Sequence, residues 1–194
     1  MPGPEYQRFL ESMKVGFAEW HDGIGYACEE LAELPPEDRA AVEALLVERL
    51  TASGTWRDVE ALDALGTPGA KEALRVAARH GCPEVRNRAL EVLLRAEPHA
   101  FVDLEEEVVR AVRKGALDLA QSHPTPRVRR ALLDCARLAD PVTRVNAAAM
   151  LLYLCGKADE PFDWSQRPFF LRFSTEEKGE LRAAWRELRE RTGV

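Results

Sequence analysis

The sequence predicts an all-α fold assembled from repeated helix pairs, and three observations carry that expectation. Alanine occurs 28 times and leucine 24 times in 194 residues, against a single isoleucine. Both lose little side-chain freedom in a helix. Apolar residues recur three and four positions apart through most of the chain, the spacing of one helical face. Proline opens several of these segments at a fixed interval. An all-β fold is excluded. A chain of 194 residues favours one domain and buries roughly 70% of its unfolded surface without disulfide staples.

Taken in order, Tyr6, Phe9, Leu10, Met13 and Phe17 follow helical spacing and predict a first helix. Gly23 and Gly25 break the chain, and Ile24 to Leu34 reads as a second helix ended by Pro35-Pro36. Pro36 can open the third, which runs to about Ala52 with Val42, Leu45, Leu46 and Leu50 on its buried face. Ser53-Gly54 ends it. From Thr55 the pattern repeats. Pro68 with Lys71, Pro83 with Arg86, Pro126 with Arg129, and Pro141 with Arg144 each place a cation three positions after a proline. Six positions after the proline comes Leu74, Ala89, Leu132 or Ala147; ten positions after comes Ala78, Leu93, Ala136 or Leu151. These offsets differ by one turn, so they share a face. Pro68 to Pro83 and Pro126 to Pro141 are each 15 residues, which makes two helices a unit of about 30 residues. Stacked helix pairs of this kind form an α-solenoid, because no pair can bury its apolar face alone.

The runs Pro83-Glu84-Val85-Arg86-Asn87-Arg88-Ala89-Leu90 and Pro126-Arg127-Val128-Arg129-Arg130-Ala131-Leu132 resemble HEAT-like repeats, over about residues 55–156. The unit is shorter than a full HEAT repeat and looks more like the compact variant of phycobilin-lyase-type repeats. The tetratricopeptide pattern of spaced Trp, Gly and Tyr is missing. Between the proline pairs, Val108, Val109, Val112, Ala116 and Leu119 keep a helical stripe that Gly115 kinks or splits. The chain then divides into amino-terminal helices (1–54), repeats (55–156) and a carboxy-terminal cap (157–194) within one domain, with nine or ten helices in all. The cap region packs five of the 14 aromatics into Phe162 to Phe173. Pro161 and Pro168 argue against helix there. Ser174 and Glu177 form a capping box for a last helix that ends near Gly193, with Leu181, Ala184, Trp185 and Leu188 as its apolar face. The aromatic segment is expected to belong to the core and to cover the last repeat.

Net charge is −6 but uneven: residues 1–70 hold 5 basic and 14 acidic side chains, whereas residues 71–155 hold 14 and 11. An acidic protein repels phosphate backbones, so nucleic acid is an unfavoured partner. The longest stretch without Asp, Glu, Lys or Arg is twelve residues, Val145 to Gly156, well below the roughly 20 of a membrane span. The terminus Met1-Pro2-Gly3-Pro4-Glu5 lacks a basic and an apolar signal region, and Pro2 stands where myristoylation needs glycine. Cys28, Cys82, Cys135 and Cys155 contain no CxxC and read as buried, reduced thiols of a cytoplasmic protein.

Chemistry-bearing patterns are sparse. His80 and Cys82 are too few for a metal site, and His21-Asp22 reads as a surface pair. There is no GxSxG, no phosphate-cradling glycine loop and no HExxH. No cofactor, metal or catalytic residue is expected. Lys71, Arg86, Arg129 and Arg144 form either a basic ladder or a set of links to acids and carbonyls of neighbouring repeats. The sequence is also similar, at Thr55-Trp56-Arg57-Asp58-Val59-Glu60-Ala61-Leu62 and from Asp163-Trp164 to Phe173, to small bacterial HEAT-like proteins that serve as immunity partners of secreted polymorphic toxins. That resemblance implies a non-catalytic binder of a cognate toxin, and the chain's acidic charge suits a basic toxin domain. The acidic amino-terminal half is the expected docking surface, with Glu29, Glu30, Glu33, Trp56, Asp58, Glu60 and Asp63 as its candidates. The competing class is a HEAT-like enzyme of the alkylpurine-glycosylase or lyase type; a glycosylase of that kind needs an aromatic, cation-binding pocket within a basic concave surface, for which Trp56 near Asp58 and Asp63 are the candidates.

Overall fold

Helices supply every regular element among the described residues of the computed structural model, 3–14 and 16–194 without the side chains of Glu19 and Trp20; no strand occurs among them. Met1 and Pro2, read above for targeting, lie outside the described residues. The chain divides into two units, Met1–Val102 and Asp103–Val194. The boundary falls inside the repeat region read from the sequence.

The first unit opens with α1 (Pro4–Ser12), whose Phe9 is fully buried edge-on to Tyr26, ring centroids 6.1 Å apart. The sequence predicts that this helix continues to Phe17. Instead Ser12 ends it: its hydroxyl donates to the Phe9 carbonyl at 2.6 Å and accepts from the Ala27 amide at 3.0 Å. A separate turn, α2 (Phe17–His21), follows, with Phe17 78% exposed. The expected second helix is a 3-10 segment, Cys28–Ala32. Tyr26, Leu31 and Leu34 are buried all the same, so the apolar positions were legible although the backbone was not. Next come α3 (Pro36–Ser53), with Val42 and Leu46 fully buried, and α4 (Trp56–Leu65).

The helix pair α5 (Pro68–His80) and α6 (Pro83–Ala96) follows the repeat pattern closely. Proline is the first helical residue in both, where its missing N–H forfeits nothing. Leu74, Ala78, Ala89 and Leu93, the offset positions, are all buried. Gly81 allows the sharp turn between them, since a Cβ there would lie 2.7 Å from the Ala77 carbonyl and 3.0 Å from Val85. A 3-10 turn, Pro98–Ala100, leads out.

The second unit contains most of α7 (Phe101–Val112), then α8 (Leu117–Ser122). Gly115 splits them at φ 94, a backbone region that side chains resist. The pair α9 (Pro126–Leu138) and α10 (Pro141–Leu154) repeats the α5/α6 scheme, with Leu132, Ala136, Ala147 and Leu151 buried. The Thr125 side chain caps α9 through the Val128 amide, and Asp140 caps α10 through the amides of Val142 and Thr143.

The carboxy-terminal region departs from expectation in three ways, the first two in its aromatic segment. It is partly helical: α11 (Arg167–Phe170) sits between the 3-10 turns Trp164–Gln166 and Leu171–Ser174, with Pro168 in its first turn, where proline is tolerated. Its aromatics also divide. Phe169, Phe170 and Phe173 are buried in a region that packs on α10, whereas Trp164 is 71% exposed and Phe162 lies at the edge against Phe170. The last helix, α12 (Lys178–Thr192), starts later than the expected capping box. Glu177 itself is the N-cap, accepting from the Glu180 amide at 2.7 Å, because Ser174 is turned back onto the Leu171 carbonyl. On α12, Ala184 and Leu188 are fully buried and Leu181 and Trp185 half-buried, and the helix ends at Gly193 as its sequence predicts.

All four cysteines are free. Cys135 is buried, Cys28 and Cys155 are half-buried, and Cys82 is exposed at the N-cap of α6, contrary to the expectation of four buried thiols. No described helix is long and apolar enough to cross a membrane.

Candidate functional site

Thr55 and Asp58 form a reciprocal capping box at the start of α4: the Asp58 side chain accepts from the Thr55 amide at 2.9 Å. The same carboxylate accepts from Arg49 Nε at 3.1 Å and from the Tyr26 hydroxyl at 3.2 Å. Burial first, then the Asp58 charge, pushes the Tyr26 phenol above its usual pKa. Asp58 has no exposed surface. It is therefore withdrawn from the candidate docking residues: third in its helix, it points inward to satisfy a free backbone amide. Next to it, the Arg57 guanidinium lies 4.5 Å from the Trp56 ring centre, and its Nε donates to the Ile24 carbonyl at 2.6 Å.

Trp56 is half-buried and lines an open groove of about 480 Å³ with Glu60, Glu84, Asn87 and Glu91 around Arg88. Arg88 donates to Glu60 and, at 2.8 Å, to Glu91; Arg95 donates to Asp63 at 2.6 Å. The 3-10 segment packs on α4, which brings Cys28 to the same edge. Its thiol is pushed up to about 11, chiefly by burial and then by Glu60, Glu29 and Asp63.

Of the seven candidates, the fold brings Glu29, Trp56, Glu60 and Asp63 to this edge. Glu29 and Glu33 are exposed and make no ion pair among the described residues. Glu30 is held by Arg8 of α1 at 2.7 and 2.8 Å, a hydrogen bond that lowers its pKa. The Trp56, Asp58 and Asp63 trio does not form an open pocket, because Asp58 is enclosed and Asp63 is paired.

The four repeat cations play different roles. Lys71 donates to Glu97 at 2.7 Å, alongside Arg75 at 2.8 Å. Arg144, buried on α10, donates to the carbonyls of Phe173 at 3.0 Å and Thr175 at 2.7 Å, fastening the aromatic region to its helix. Arg86 is buried with Nε and Nη2 lacking acceptors, and Arg129 Nε likewise lacks one. They are links and enclosed groups rather than one exposed ladder. His21 and Asp22 are an exposed pair at 2.9 Å. No three His, Cys, Asp or Glu side chains among the described residues gather as metal ligands would.

Comparison with protein-family models, with curated proteins and with solved structures finds no match. The segments that carry the HEAT-like and immunity-type resemblance, 55–62 and 163–173, lie in different units.

One feature went unread in the sequence. In the second unit, α9 and α12 border a groove of about 570 Å³. The apolar stripe Leu181, Trp185 and Leu188 was legible; the cations Lys178, Arg182 and Arg186 beside it, each four residues apart, were the available signal.

Proposed function

We propose that this protein is a non-catalytic protein-binding module, of the immunity type, that holds and neutralises a basic toxin domain in the cytoplasm. In this reading the α5/α6 and α9/α10 pairs are HEAT-like repeats of an α-solenoid, and residues 161–174 with α12 cap its carboxy-terminal end. The observation that carries the proposal is the α4 edge, where a half-buried tryptophan lines an open groove together with the carboxylates Glu60, Glu84 and Glu91. Aromatic anchors within charged rims are the usual make-up of strong docking sites. Four free thiols suit a reducing compartment.

The test is capture of partners by the full-length protein from its source cell, with E29K/E33K, which reverses two exposed charges on the 3-10 segment packed on α4 and on its C-cap, as control. Both residues are exposed, so the variant should keep its helicity. The expected result is a basic protein bound by the wild type and lost or strongly weakened in the variant. An acidic partner, or one held equally by the variant, refutes this surface.

A further inference from the structure

We propose that the α9/α12 groove of the second unit is a docking site for an acidic amphipathic segment of another protein, distinct from the acidic α4 edge. Its floor is apolar: Trp185 and Leu181 are half-buried, and Leu138 is 76% exposed at the end of α9. Its rim is cationic: Arg137 comes from α9, and Lys178, Arg182 and Arg186 come from successive turns of α12. No acidic side chain lines it. None of these four cations makes an ion pair among the described residues, although ion pairs are common elsewhere in the unit.

The charge arrangement has a cost in the free protein. Like charges four residues apart on a helix repel, and Lys178 is the first residue of α12, where the helix dipole disfavours a cation. A carboxylate-bearing partner relieves both. An apolar anchor on the same partner would cover Leu138 and Leu181, and long cationic side chains can lie along such a surface while their charged ends reach the rim. From Lys178 to Arg186 the stripe is about 12 Å long, enough for two turns of a bound helix laid between two others.

The observations favour an acidic protein over a nucleic acid. The Trp185 ring is already engaged by Arg137 at 5.3 Å and Arg189 at 6.0 Å, and its indole N–H is used on the Leu133 carbonyl at 2.9 Å. It is thus a fixed floor, whereas single-stranded nucleic acids stack on open aromatic faces.

The experiment uses the full-length protein and three fluorescent probes of similar length, read by anisotropy. One is a helical peptide with a glutamate stripe beside a leucine stripe; the second has the same composition scrambled so that no face forms; the third is a single-stranded oligonucleotide. The amphipathic peptide is expected to bind at least about tenfold more tightly than either control, and added salt should weaken it. R182E/R186E and, separately, Leu138→Asp should each cost about tenfold or more in affinity. All three substituted residues are exposed, and circular dichroism and melting temperature check that the variants keep their fold. E29K/E33K should leave peptide binding unchanged, which separates this site from the acidic edge. Equal binding of the scrambled peptide reduces the groove to an ion-exchange surface and overturns the proposal. So does preference for the oligonucleotide, or self-association of the wild type that R182E/R186E abolishes and that blocks the peptide.

Discussion

Asp58 accepts from a backbone amide, a phenol and a guanidinium while fully enclosed, and its removal leaves those donors without their acceptor. Loss of one member of a buried charged pair is strongly destabilising. Because Arg49 is itself half-exposed, Asp58→Ala is expected to lower unfolding free energy by about 3 kcal/mol, against about 0.5 kcal/mol or less for Glu29→Ala. Urea unfolding measures both, and near-equal values would refute the buried role. Glu97 gives the pH counterpart. The Lys71 hydrogen bond, then the Lys71 and Arg75 charges, hold its carboxyl below its ordinary 4.5. A carboxyl depressed in the folded state contributes stability that is whole above its unfolded value and lost as pH falls through its folded one. The melting-temperature difference between wild type and Glu97→Gln should therefore be steady from pH 7 to about 5 and vanish in more acidic solution. A difference that persists unchanged at pH 3 would contradict it.

At the scale of elements, the aromatic region is three short helical pieces held to α10 by Phe169, Phe170, Phe173 and the Arg144 hydrogen bonds. Phe173 is fully buried, so Phe173→Ala should cost about 3–5 kcal/mol, a large share of a domain's total of about 5–15. Trp164 rests in solvent beneath Arg167, 4.3 Å from its ring centre. Trp164→Ala should change stability by about 0.5 kcal/mol or less, which departs from the expectation that the whole aromatic run is core. Chemical unfolding of the two variants side by side checks the contrast; equal losses would mean that the tryptophan is also part of the packing. The proline-led helices belong to the same scale. The four repeat helices start where the sequence predicts, because a proline at the first position acts within one turn, independent of what packs later; Thr67, Thr125 and Asp140 add a side-chain cap to three of them, and Cys82 adds none to the fourth.

Across the whole molecule, charge is segregated along the chain. The net −9 of residues 1–70 lies in the first unit, and the cation-lined groove lies in the second. A basic partner steered to the α4 edge should associate faster at low salt, with the rate falling as ionic strength rises through the range where the screening length drops from about 30 to 8 Å. Stopped-flow association across a salt series measures this. A rate insensitive to salt would place recognition on apolar contact alone and remove the role proposed for Glu29 and Glu33.

What the sequence determined by itself was local. The all-helical class follows from Ala and Leu content, the helix starts from Pro68, Pro83, Pro126 and Pro141, and the buried positions six and ten residues on from helical period. These depend on backbone geometry within a few turns. The tertiary structure decided what each face meets. Spacing carried the first helix through to Phe17, but Ser12 found the Ala27 amide and the helix stopped. Asp58 reads as one acid among fourteen until Tyr26 and Arg49 close over it. Ser174 reads as a cap until the Leu171 carbonyl takes its hydroxyl. The cations of α12 stand out only once α9 supplies Arg137 and Leu138 as the opposite wall of a groove. Periodicity records which side of a helix is apolar; the partner for that side comes from residues distant in the chain, and only folding brings them within bonding distance.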